Sequence, residues 1–177
     1  MSLTLFLRPL SDDNIKKLLA HPPLIWRVIA PEGLPGGDAN ELPSLELSEA
    51  ELARGYLDKA WHGIHYLLTG GIWGGSAPLN AICAGGVEMD LADADCDGTV
   101  RVLKSAEVKA LDAALKPIDA DYLRQRFNAE DMKQKSIYPP IWDRDDSLGY
   151  CLHYFETFKG FVSGAAANGL GLVLHLW

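Results

Sequence analysis

Hydrophobic positions along this chain change their period several times, and each change marks an expected element. Apolar residues over 3–7 predict an opening strand. Ser11 then caps a short helix whose Ile15, Leu18 and Leu19 recur at i, i+3, i+4 spacing, ended by His21-Pro22-Pro23. Ser48 followed by Glu51 is a capping box that starts a further helix. Gly55 weakens it: either one helix runs over 49–69, or, as favoured, Gly55 breaks it and Asp58 caps a second helix beginning at Lys59. Gly70, Gly71, Gly74 and Gly75 exclude regular helix over 69–76, and Pro78 suits the first turn of a short helix through Cys83.

In the second half, Thr99-Val100-Arg101-Val102-Leu103 reads as a strand feeding a helix capped by Ser105, with Val108, Leu111 and Leu115 as its buried stripe. Pro117 stops that helix. Asp119 caps another ending near Phe127, and Asn128 caps a third around Met132. Residues 137–142 are expected to be extended, because residues before Pro139 and Pro140 avoid helical dihedrals. A long helix over 146–168 follows, with Tyr154, Phe158 and Val162 or Phe155, Val162 and Ala166 along one broad face, a cap at Gly169 and a closing apolar strand over 172–177. Two terminal strands around a mostly helical middle predict an α+β fold: a single compact domain over 1–177, with a small sheet that includes the N- and C-terminal strands. The Gly- and Pro-rich stretch 31–43 reads as a surface excursion, since core pattern resumes too soon for a domain boundary.

Composition narrows the function classes. The chain has 177 residues, 48% hydrophobic and 23% charged, enough for one sizeable core. Lys and Arg total 16 against 24 Asp and Glu, a formal net charge of -8, which opposes phosphate backbones and anionic lipid and so argues against nucleic acid and membrane as partners. The same acidity suits solubility or a basic protein partner. Cys83, Cys96 and Cys151 are too few and too scattered for a disulfide framework or a zinc site. The start lacks the basic and apolar regions of a signal peptide, and no apolar run approaches the ~20 residues of a membrane helix. A cytoplasmic location is expected.

The chemistry concentrates in residues 58–70, which place Asp58, Lys59, Trp61, His62, His65 and Tyr66 on a segment that otherwise reads as core helix. Trp61, His65 and Leu68 share one stripe; His62 and Tyr66 share the next. Asp58 and His65 are two turns apart, ~10 Å along the axis, too far for an acid/base dyad. His62 and His65 could ligate a metal only with a third ligand from elsewhere, and no HExxH pattern is present. A core histidine bonded to a backbone carbonyl is therefore preferred for His65. A second concentration, Tyr138, Trp142, Tyr150, His153, Tyr154 and Glu156, would form a ligand pocket if it met the first. The candidate pocket is Trp61, His62, His65, Tyr138, Trp142 and Tyr154, with no metal and no cofactor expected. Two weaker signals remain. Asp93, Asp95, Asp97 and Gly98 reproduce the opening of a calcium loop, but Lys104 stands where the bidentate Glu belongs. Gly74-Gly75-Ser76-Ala77-Pro78 lacks the second glycine of a nucleophile elbow.

The spacing Asp58-Lys59-x-Trp61-x-x-x-His65-x-x-Leu68-Thr69-Gly70 resembles the YfbM-like family of small bacterial proteins of unknown function. Further marks follow in the family's order: Pro78-Leu79 with Gly85-Gly86, Val100-x-x-Leu103-x-Ser105-x-Glu107-Val108, Ile137-Tyr138-Pro139 with Trp142, and Gly169-x-Gly171-Leu172-Val173. The likeness covers essentially the whole chain, with 31–43 matched least. It implies a bacterial, cytoplasmic, single-domain α+β protein without catalytic residues to carry over, and it lowers the calcium reading. The expected function is a non-enzymatic binding or regulatory module with a protein or small-molecule partner; the alternative is a small-molecule enzyme using His65 in an aromatic-lined pocket.

Overall fold

The structure, a computed structural model, describes residues 3–30, 44–92, 94, 96 and 98–177. The 31–43 stretch and the carboxylates of the calcium-like turn, Asp93, Asp95 and Asp97, lie outside the described residues. Among those described, five strands form one antiparallel sheet: β1 (Leu5–Leu10), β2 (Gly55–Tyr56), β3 (Val87–Glu88), β4 (Thr99–Leu103) and β5 (Gly171–Leu176), in the order β2-β1-β5-β4-β3. The chain's last strand thus lies in the middle, paired with β1 from Leu5↔Leu176 to Leu10↔Gly171 and with β4 from Thr99↔Leu176 to Leu103↔Leu172. The N- and C-terminal strands belong to the sheet, as the apolar pattern requires.

The opening strand runs to Leu10, through Pro9, rather than ending at Leu7. Thr4 exchanges backbone hydrogen bonds with Trp177, while the Leu5 amide donates to the Asp58 carbonyl on the other side. Alternation then points the Pro9 nitrogen toward the β2 side, beyond the two residues of β2, where no ladder bond is lost.

Period-two alternation divides the strands between two helical layers. Leu5, Leu7, Leu103, Leu172 and Leu174 face the larger core, with Trp61, Ile64 and Leu67 of α3 (Trp61–Thr69), Val108, Leu111 and Leu115 of α5 (Ser105–Leu115), and Phe155, Phe158 and Val162 of α8 (Ser147–Ala167). Leu10, Val100, Val102 and Val173 face the other way, against Ile15 and Leu18 of α1 (Asp12–Ala20), Leu24 of the 3₁₀ turn Pro22–Leu24, and Ile25 and Val28 of α2 (Ile25–Ile29). The short helices α4 (Ala81–Ala84), α6 (Ala120–Arg126) and α7 (Ala129–Gln134) complete the first layer.

Most expected caps are present, including Ser11, Asp119 and Asn128, whose side chains accept from Asn14, Tyr122 and Asp131 amides. Other expectations are corrected. Pro78 lies in a turn and the short helix starts three residues later, after Asn80. Ser105 is the first helical residue of α5 rather than its cap; its amide and hydroxyl both donate to Asp12, a carboxylate from α1. Asp58 does not cap α3, as described below. The capping box at Ser48 and Glu51 forms, but on a single 3₁₀ turn, Glu49–Leu52. Residues 137–142 are free of helix but are not the extended segment expected: 138–140 bend, the Ile141 amide donates back to the Pro139 carbonyl, and 142 begins a turn. On α8 it is the Phe155 stripe that is buried, not Tyr154.

Glu51 does more than cap. Its carboxylate accepts from the Ser48 amide and hydroxyl, the Ser11 amide and the Asn14 side-chain amide, tying the 3₁₀ turn to the start of α1. Burial alone would raise its pKa, but these four bonds outweigh it and hold the group at about 2, against an ordinary 4.5. The stabilisation is fully present above pH 4.5 and is lost as pH falls through about 2. Glu51→Ala should cost on the order of 1–3 kcal/mol in urea unfolding at neutral pH. That difference from wild type should shrink as the titration is repeated toward about pH 2; a constant difference would contradict the carboxylate's role.

Candidate functional site

The histidines of α3 have opposite fates. His62 is buried with both ring nitrogens satisfied: Nδ1 accepts from the Tyr138 amide at 3.0 Å, so Nε2 carries the proton and donates to the Ile72 carbonyl at 2.7 Å. The ring stacks with Trp61, centroids 4.9 Å apart at 9°, and with Trp73, 4.4 Å away at 25°, and the two indoles are themselves 6.1 Å apart, so the three rings form one cluster. Burial lowers the His62 pKa, opposed by the Ile72 carbonyl. This one imidazole therefore pins α3, the glycine-rich 70–76 loop and the 137–142 segment together.

His65 is fully buried, yet among the described residues neither of its ring nitrogens has a partner in hydrogen-bonding geometry. The expected bond to a backbone carbonyl is thus corrected to a near miss. The Gly74 carbonyl is the polar group that favours the protonated ring, but burial and the neighbouring His62 outweigh it and push the pKa down to about 4. A neutral ring without solvent access or a titratable partner does not offer a general base to a cavity.

The two aromatic concentrations do meet, as packed core. Tyr138 lies 6.1 Å from Trp61, and its hydroxyl accepts from the Leu3 amide. Trp142 is buried; its indole N–H donates to the Ile137 carbonyl, and its ring lies against Gly63. Tyr154 joins a different group, edge-on to Tyr150, Tyr56 and His153. A groove of about 410 Å³ runs along Tyr138, Pro140 and Trp142, but its charges, Lys133 and Asp143, are exposed.

A smaller cavity of about 190 Å³ opens beside the ring cluster of Trp61, His62 and Trp73. Leu5, Leu174 and Leu176 form its floor; Trp61, Trp73, Ile82 and Cys83 line it, with Thr99, Arg101 and Glu88 as its polar groups. By the strand register, Arg101 and Thr99 point to the same sheet face as Leu5 and Leu174. The Arg101 side chain is only 15% exposed; Nε donates to the Gly85 carbonyl and Nη1 to Glu88, itself 62% exposed. Among the described residues Nη2 has no partner. Burial pushes the Cys83 thiol up to about 12, so it stays protonated and is not a nucleophile at neutral pH. Of these residues only Trp61 was expected at a site. The signal for Arg101 was its charge between two valines in a strand, legible only once both sheet faces are known to be covered.

The family model described as "Domain of unknown function (DUF1877)" matches residues 1–175. The chain belongs to this family. A crystal structure of YfbM from Escherichia coli, a protein of unknown function, has the same fold: TM-score 0.70 at 16% identity, over 98% of this chain and 99% of that one. No curated protein matches the chain. Among the described residues, no helix is long and apolar enough to cross a membrane, and no three His, Cys, Asp or Glu side chains gather as metal ligands.

In this DUF1877 member the 58–70 signature is chiefly a packing device. Asp58, with φ of 47°, accepts from the Tyr56 and Tyr150 hydroxyls at 2.9 Å each, while the Tyr150 hydroxyl accepts from the Lys59 amide. Two phenols thus occupy the carboxylate that was expected to cap α3, whose first residue follows Ala60 without a side-chain cap. Gly63 permits the helix to touch the core: a Cβ there would lie 2.5 Å from the Trp142 ring and 2.8 Å from the Cys151 sulfur. Gly70, at φ of 74°, ends α3 in the left-handed conformation.

Gly63→Ala should lower stability by about 1–3 kcal/mol, since the buried indole cannot withdraw, and should alter the near-ultraviolet tryptophan dichroism; unchanged melting would refute the contact. For His65 the expectation is the reverse. Replacing an unpaired buried ring by a similar apolar volume, His65→Leu, should leave stability within about 1 kcal/mol of wild type or raise it. Because the folded pKa is depressed to about 4 from 6.5, wild type loses stability as pH falls through that window, and His65→Leu should flatten the slope there. A large loss of stability in this variant would instead reveal a bonded histidine.

Proposed function

We propose that this protein is a cytoplasmic, non-enzymatic binding module that holds a small carboxylate-bearing molecule in the cavity beneath Trp73. The observation that carries the reading is Arg101. A guanidinium held 15% exposed on a leucine-lined sheet face costs desolvation, and part of its hydrogen-bonding capacity faces the cavity rather than the protein. Its fork, with Nη2 still open, suits a carboxylate, and the aromatic wall of Trp61 and Trp73 suits the apolar remainder of a ligand. The protonated Cys83, the neutral locked His62 and the enclosed His65 supply no reactive group, which favours binding over catalysis. Free cysteines at 83, 96 and 151 suit a reducing compartment.

Titrating the ¹⁵N-labelled protein with millimolar isovalerate and L-leucine tests this. Saturable shifts are expected at the Arg101 Nε–H and the Trp73 indole N–H, assigned with Arg101→Lys and Trp73→Phe, and Arg101→Met should abolish them while the remaining spectrum stays folded. If neither resonance of the wild-type protein moves with any of these probes, the proposal is overturned.

A further inference from the structure

Resting on that reading, we infer that the ligand is a small apolar α-amino acid, recognised as a zwitterion by the Arg101–Glu88 pair. Charge balance is the first argument. Arg101 and Glu88 already neutralise each other at 2.7 Å, so a simple anion would leave the cavity with an unbalanced negative charge in a protein whose formal net charge is already -8. A ligand that brings its own cation restores neutrality.

Geometry is the second. An α-amino acid carries its carboxylate and ammonium on one carbon, and here the complementary groups are also adjacent: Nη2 of Arg101 has no partner among the described residues, and the Glu88 carboxylate, 62% exposed, can accept from an ammonium while keeping its bond to Nη1. The Thr99 hydroxyl lines the same cavity as a further polar contact. The third argument is size. A volume of about 190 Å³ over Leu5, Leu174, Leu176 and Ile82 takes a side chain such as that of valine or leucine and is below the roughly 300–1,000 Å³ of drug-sized sites.

Calorimetry on the full chain with L-leucine, L-valine, isovalerate and isoamylamine separates the arms. Leucine and valine should bind, and isovalerate and isoamylamine each roughly tenfold or more weaker, as expected for loss of one charged hydrogen bond. Glu88→Gln, an exposed position that leaves the fold intact, should bring leucine down to the level of isovalerate without weakening isovalerate. If isovalerate binds as tightly as leucine, or if Glu88→Gln leaves leucine unaffected, the zwitterion inference fails while the carboxylate site stands; if isoamylamine binds as tightly as leucine, the carboxylate contributes nothing and the carboxylate site falls as well. If no probe binds, the site itself falls.

Discussion

Insertion of β5 between β1 and β4 is the constraint on which the rest of this molecule depends. Its two alternating sets of side chains supply both cores, Leu172 and Leu174 to one and Val173 to the other, so neither helical layer has a complete floor until the last strand is in place. The pairing also closes the termini on each other, through the reciprocal backbone bonds of Thr4 and Trp177. Because the central strand comes from the end of the chain, these contacts are long in sequence and carry a loop-closure cost that local helix formation does not.

What could be read from the sequence follows from how local each cause is. Caps and stop signals act within a few residues, and Ser11, Asp119 and Asn128 behave as their neighbours dictate. Where a distant group competes, local reasoning fails. Asp58 has the right side chain for a cap, but Tyr56 and Tyr150 claim both of its oxygens. Ser105 would cap α5 by itself, yet Asp12, 93 positions away in sequence, takes that part. The two-residue strands β2 and β3 carry no periodic pattern at all; they exist because the neighbouring strand edges offer unpaired backbone groups.

The site residues show the same division. His62 and Trp61 were visible as a cluster, but their pairing with Tyr138 and Trp73 depends on the fold bringing three segments to one imidazole. His62 also shows why His65, a core histidine as expected, lacks the expected bond. Both are buried on one helix, but Ile72 and Tyr138 present a carbonyl and an amide at the right angles to the first ring, whereas Gly74 misses the second. Burial depresses both pKa values; only one ring recovers the lost hydration through hydrogen bonds.

Arg101 completes the argument from the opposite sign of charge. A strand flanked by two layers has no solvent face, so a charge on it must be met by the protein or directed to an opening. On the Val100 and Val102 side the second core also encloses Arg8 and His175, and there the Arg8 guanidinium donates to the Ile29 carbonyl. On the other side the helices retreat beyond Ile82, and the guanidinium lies at that gap, half satisfied by Gly85 and Glu88. Filling the gap with one more apolar side chain from α4 would have removed the need for the arginine altogether. The fold instead keeps a cation, an exposed carboxylate and an indole around a small apolar floor, a combination whose unmet hydrogen-bonding capacity is directed outward, toward a ligand rather than toward the core.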